Sequence, residues 1–286
     1  MSPTLLPAAL MLISAIAHAA IGVILKRAQD KLVFRAILAI VSALIALPFI
    51  FVVPLPPASA WKYLIGGTVI HFIYQLSQIS AFERGDMSLV YPIMRGVAPA
   101  LAAIIAFFWL GERLGPRELL GLSIAVLALI GFGWPQKARP DNWGPAVSFA
   151  LLCGVMIATY SVIDGAGMRL ARVDGASIAS YMVYFFLLDI SFLPALTLIR
   201  RRGNIARLVK QELKSGIIGG ATSTVTYGLA LIAFSLAPIA QMSAVRETSV
   251  VFGAFFAAYI LKEPLGGRRI ALALMLAFGL LLMQSA

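Results

Sequence analysis

The sequence predicts an all-α integral membrane protein of ten spans, built as two five-helix repeats in opposite orientation. Three observations predict it. Hydrophobic residues make up 61% of the 286 residues and charged residues only 12%, against roughly 45–50% and about 25% in a soluble domain. Ten apolar stretches approach the length a helix needs to cross a bilayer, about 20 residues. Finally, a charged and glycine-marked motif recurs at a constant offset of 151 positions.

In chain order the stretches are 4–25, 35–54, 63–82, 87–110, 118–135, 143–163, 177–199, 215–234, 239–261 and 269–285. Between them lie the expected breakers: "PLPP" at 54–57, "LGERLGPRE" at 110–118, "PQKARPDN" at 135–142, "RRRGNIARLVKQELK" at 200–214 and "LKEPLGGRR" at 261–269. None of these joints is long enough to hold a separate domain. "SAIAHAA" near the start resembles a signal-peptidase site, but a signal peptide carries its positive charges before the apolar region. Here Lys26 and Arg27 follow it, so a retained first helix is expected. The single cysteine, Cys153, lies in an apolar run, which excludes an intrachain disulfide and any CxxC site.

The net charge of +11 would suit a nucleic-acid binder, yet no soluble module remains to bind one. Its distribution instead reads as topology. Loops after the odd-numbered spans hold 4, 1, 2, 6 and 3 Lys or Arg residues, whereas the termini and the remaining loops hold 5 in all. The positive-inside rule then places the odd loops in the cytoplasm and both termini in the periplasm of a bacterial inner membrane.

Shifting the chain by 151 positions aligns "MRGVAPALAAIIAFFWLGERLGPR" (94–117) with "VRETSVVFGAFFAAYILKEPLGGR" (245–268) without a gap. Apolar matches such as Ala106 with Ala257 could arise by chance between helices. Arg95 with Arg246, Glu112 with Glu263, Gly115 with Gly266 and Arg117 with Arg268 are harder to obtain in one register. Upstream the offset becomes 152, and "YQLSQISAF" (74–82) meets "TYGLALIAF" (226–234). Repeats 1–138 and 139–286 therefore hold five spans each, and an odd number forces the copies into opposite orientation. That is the build of secondary transporters, whose substrate sites lie at the repeat interface near the midplane.

A short polar-spotted helix, a proline-containing helix ending in "LGERL" or "LKEPL", and a glycine-rich helix such as "LLGLSIAVLALIGF" together resemble the EamA repeat of the drug/metabolite transporter superfamily. The resemblance covers essentially the whole chain. It implies ten helices around a central cavity lined mainly by spans 1, 3, 4, 6, 8 and 9, and export of small metabolites. The bacterial amino-acid exporters, including the aromatic-amino-acid subgroup, are the members it suggests most directly. Many relatives are drawn with cytoplasmic termini, and the charge distribution here points the other way.

Span 3 makes a functional reading possible from the residues alone. His71, Tyr74, Gln75 and Gln78 fall at i, i+3, i+4 and i+7, one face of a helix whose other faces are Phe, Ile and Leu. In hydrocarbon such a stripe must face protein or water. It either glues helices together by hydrogen bonds or lines a cavity. The 152 offset pairs these positions with Ser223, Thr226, Tyr227 and Ala230. Span 4 adds Tyr91 and Arg95 on one face, with Pro92 and Pro99 loosening the backbone. Arg95 and Arg246 are expected to form matched stations on either side of the midplane, facing the cavity unless Asp189 or Glu247 pairs with them. Glu247, about 100° round from Arg246, is expected to meet another helix.

Tyr160 and Asp164, one turn apart in span 6, could close the cavity end, though an interfacial Tyr at a helix end is commonly a belt residue. His18 and Asp189 read as isolated buried polar groups, and Glu112 and Glu263 as fold residues meeting a helix N-terminus or a nearby Arg. With two His, one Cys, no HExxH and no GxSxG, the chain offers no catalytic residue, no metal site and no cofactor motif. An amino-acid exporter needs a cation for the carboxylate, acceptors for the ammonium and an adaptable aromatic wall; Arg95, Arg246, Gln75, Gln78, Tyr74, Tyr91, His71, Tyr160 and Tyr227 supply these. An organic-cation exporter needs a free acidic residue instead, for which Glu247 and Asp189 are the candidates. The expected partners are a small-molecule substrate and lipid, with a monomer as the working unit.

Overall fold

The computed structural model describes residues 5–85, 87–134, 143–173, 177–261 and 266–284. Among them the chain is helical, in the order α1 (Leu5–Arg27), α2 (Lys31–Ala46), α3 (Ala58–Arg84), α4 (Met87–Gly96), α5 (Ala98–Leu110), α6 (Pro116–Gly133), α7 (Trp143–Val173), α8 (Ile178–Asp189), α9 (Leu193–Arg200), α10 (Ile205–Leu236), α11 (Ile239–Arg246), α12 (Ser249–Leu261) and α13 (Gly267–Gln284). A 3₁₀ turn, Leu47–Phe51, extends α2. Each expected span corresponds to one of these helices or to a consecutive pair.

Among the described residues, six helical stretches are long and apolar enough to cross a membrane by length and composition. Ten spans are expected from the sequence, and six meet that measure among the described residues. The helix α3 has 27 residues and falls short on apolarity, not length, because its inner face carries the His, Tyr and Gln stripe.

Two repeat-matched breaks correct the sequence expectation of continuous helices at 87–110 and 239–261, and a turn at 190–192 likewise divides the expected 177–199 helix into α8 and α9. The first separates α4 from α5 at Val97, where Pro99, in the first turn of α5, cannot continue an α-helical hydrogen-bond ladder. The second separates α11 from α12 at Glu247 and Thr248. These breaks fall at repeat-matched positions, and each leaves an arginine, Arg95 or Arg246, in the last turn of a half-helix. A helix C-terminus with unpaired carbonyls favours a cation there. A further correction concerns 200–214: most of this stretch is the first part of α10. From Ile205 onward it contains neither Gly nor Pro before Gly216 and is rich in helix formers.

Helix α3 packs along α7 and α1 along α10; α2 lies on α10 and α3 on α8; α6 pairs with α13. The α6–α13 contact brings backbones together, since a Cβ on Gly279 would stand 2.7 Å from the Gly121 carbonyl oxygen. Large apolar side chains such as Phe108, Leu127, Leu274 and Leu281 point outward, while the polar side chains of the spans turn in. This inversion of the soluble pattern is what a hydrocarbon surround requires.

Polar contacts tie the helices together near both ends of the bundle. Glu112 pairs with Arg169 at 2.6 Å and accepts the Ile239 amide at the start of α11 at 3.1 Å, as expected of a residue meeting a helix N-terminus and a neighbouring Arg. Its repeat mate Glu263 lies outside the described residues. Elsewhere Asp30 caps α2 and pairs with Arg201 at 2.6 Å, and Glu212 accepts the Gln29 amide at 2.8 Å.

Candidate functional site

Helices α1, α2, α3, α7, α8, α10 and α11 converge on a polar cavity of about 40 Å³. That is room for a few waters and far below the roughly 300–1,000 Å³ of an open ligand pocket. Its groups consequently meet one another across the centre.

The α3 stripe supplies one wall, and all four of its residues are buried. His71 Nε2 lies 3.2 Å from Asp164 Oδ2 and 2.9 Å from the Tyr227 hydroxyl. Tyr227 also donates to Asp164, and Tyr181 donates to its other oxygen at 3.1 Å. Asp164 is therefore the hub of the site, fully buried on α7 with three side chains directed at it. Gly67 makes the approach possible, because a Cβ there would stand 2.5 Å from Asp164 Oδ1. One turn along α3, Gln75 donates to Asp189 at 3.3 Å, while Gln78 donates to the Tyr74 hydroxyl at 3.1 Å and accepts from Arg35.

Aromatic rings fill the space between these groups. The His71 ring centroid lies 4.0 Å from that of Tyr160 and 4.9 Å from those of Phe185 and Tyr227. Tyr74 and Tyr160 meet edge to face at 5.3 Å. Arg246 donates to the Tyr160 hydroxyl at 3.1 Å and sits 5.7 and 5.4 Å from the Tyr160 and Tyr227 ring centroids, within cation–π range. Its Nε has no hydrogen-bond partner, and it takes part in no ion pair among the described residues.

The two repeat-matched arginines are not equivalent, which corrects the expectation of paired stations. Arg95, fully buried, is tied to Glu247 at 3.2 Å and does not line the cavity. Beside it Tyr91 donates to Ser249 at 3.3 Å. The asymmetry has a local cause: at the 151 offset, Glu247 corresponds to Gly96. Arg95 thus finds a carboxylate on the other repeat, and Arg246 finds a glycine in its place. Glu247 meets another helix, as expected, and that helix carries Arg95.

Tyr160 lies at the centre of the aromatic cluster, not in an interfacial belt. His18, Ser223 and Thr226 line the cavity, and Asp189 is held there by Gln75 instead of standing isolated. Sequence reasoning counted Arg35 among the loop charges, but it lies within α2, 6% exposed and facing the cavity. Asp164 had an available signal: a carboxylate inside an apolar helix, four residues from Tyr160, marks an intramembrane functional position by default. Tyr181 and Phe185 carried no comparable signal.

No curated protein matches this chain in sequence. A solved crystal structure of a protein 18% identical in sequence matches over 98% of this chain and 96% of that one, with a TM-score of 0.70, which establishes a shared fold. The model of the EamA-like transporter family matches residues 5–134 and again 144–285. On that two-part match, which spans nearly the whole chain, the protein belongs to the EamA-like transporter family.

Proposed function

We propose that this protein is a secondary transporter that exports amino acids, over a broad range that includes aromatic side chains, by alternating access. The observation that carries the reading is Arg246: a buried cation with no carboxylate partner among the described residues, at the end of a half-helix, with its Nε open beside an aromatic cavity. A substrate carboxylate would supply the missing partner, and the Thr226 hydroxyl, also without a partner, would add to it. Asp189 and the free Gln75 carbonyl oxygen would receive the ammonium. His71, Tyr74, Tyr160, Phe185 and Tyr227 would form the adaptable wall. In this reading Arg95, Glu247, Tyr91 and Gln78 hold the frame around the site.

The architecture offered for this activity is ten spans in two inverted repeats, 1–138 and 139–286, working as a monomer in a bacterial inner membrane. Support comes from the matched breaks in spans 4 and 9 and from the packing, in which α1 on α10 exchanges with α3 on α7 when the repeats are swapped. Discontinuous helices at the midplane are where transporters of this build place substrate. With Glu247 engaged by Arg95, efflux of organic cations would rest on Asp189 alone. Counterflow in proteoliposomes against a panel of amino acids, organic cations and phosphorylated solutes tests the reading. Amino-acid flux is expected; flux confined to organic cations would replace the reading with its rival.

Topology has its own expected outcome. With both termini periplasmic, a C-terminal alkaline phosphatase fusion should be active and a C-terminal green fluorescent protein fusion dark. A bright fluorescent fusion beside a silent phosphatase would reverse the orientation drawn from the loop charges.

A further inference from the structure

Arg246 accounts for one anionic group and leaves Arg35 without a task. Arg35 lies on α2, 6% exposed, and borders the same cavity. Among the described residues its one side-chain hydrogen bond goes to the Gln78 carbonyl oxygen, and Gln78 is steadied by the Tyr74 hydroxyl at 3.1 Å. The Arg35 guanidinium lies 6.0 Å from the Tyr74 ring centroid, whereas Arg246 sits at Tyr160 and Tyr227. Nε of Arg35, like Nε of Arg246, is buried with no partner. Asp189 borders the cavity too, but it is held by Gln75 and makes no ion pair with Arg35. Asp164 is occupied by His71, Tyr181 and Tyr227.

A guanidinium cannot be neutralised in a protein, and one left in a low-dielectric site with open donors is costly unless an anion visits it. Two such groups border this cavity, set against different rings of one aromatic cluster. A neutral amino acid brings a single carboxylate and satisfies only one of them.

We propose that Arg35 is a specificity-determining residue that binds a second anionic group, and that the preferred substrates are amino acids whose side chains are acidic. The inference rests on the amino-acid reading above. Gln78 acts as the positioning residue: its carbonyl oxygen holds the guanidinium in place without cancelling the charge. An acidic side chain reaching Arg35 would lie along the Tyr74 wall while the α-carboxylate remains on Arg246.

The test is counterflow of radiolabelled L-glutamate and L-aspartate beside L-leucine and L-phenylalanine in proteoliposomes, for wild type, Arg35→Gln and Gln78→Glu. Wild type should favour the acidic pair. In both variants the ratio of glutamate to leucine flux should fall roughly tenfold or more, as expected for loss of a charge-assisted contact. Gln78→Glu gives the same result by neutralising Arg35 in place, so the test survives if Arg35→Gln does not fold. Wild type carrying leucine and phenylalanine but no acidic amino acid would overturn this inference and leave the transport reading standing. An unchanged glutamate-to-leucine ratio in a folded variant would reduce Arg35 to a structural role. Absence of flux for all four amino acids would remove the amino-acid reading itself, and this inference with it.

Discussion

Arg95→Gln should destabilise the protein strongly, and adding Glu247→Gln should restore much of the loss. The single hydrogen-bonded contact at 3.2 Å joins two side chains with at most 1% exposure. Removing one partner of such a buried pair leaves the other charge uncompensated, typically at a cost of about 3 to 5 kcal/mol. The double variant leaves two neutral amides that can hydrogen-bond each other, so the penalty should shrink markedly. Melting temperature and monodisperse yield in detergent for the two single variants and the double variant form a complete cycle. Additive losses, with the double variant worst, would mean that the pair contributes nothing as a pair.

Asp164→Ala carries the second large effect. His71, Tyr181 and Tyr227 all direct polar atoms at this one carboxyl group, and its loss leaves buried donors with nothing to meet. Each unsatisfied group costs about 1 to 3 kcal/mol, so failure to accumulate as a monodisperse protein is the expected result. Asp164→Asn keeps the shape and two acceptor lone pairs, and should fold while altering transport. Gly67→Ala probes the same hub from α3, since its methyl group would press on Asp164 Oδ1. Wild-type melting behaviour in both Asp164→Ala and Gly67→Ala would remove the hub from the account.

These predictions also mark what could be read from the residues in order. The helical membrane character was legible because hydrocarbon favours long apolar helices, and the α3 stripe because four polar residues at helical spacing stand out against Phe, Ile and Leu. The break before α5 was signalled by Pro99; the break at Glu247 and Thr248 had no proline, and only its match to Val97 marks it. The identity of Arg95's partner was one of two possibilities and could not be chosen locally, because the contact crosses from one repeat to the other. Arg35 was hidden for a different reason. Near the end of an apolar stretch an arginine counts as topogenic by default, and only the placement of α2 against α3 turns it into the cavity. Asp164 is legible as an intramembrane carboxylate, but the convergence of α3, α8 and α10 on it depends on tertiary packing.

In the proposed function the unpaired cation Arg246 receives the substrate carboxylate, while its repeat mate Arg95 serves the frame. The most direct test is amino-acid counterflow in proteoliposomes by Arg246→Gln, with its melting temperature measured in the same preparation. The expected protein folds like wild type, because no ion-pair partner is stranded among the described residues, and its flux falls roughly tenfold or more for want of a charge-assisted contact. Wild-type flux in a folded Arg246→Gln protein would contradict this reading and leave Arg246 a structural cation stacked on Tyr160 and Tyr227.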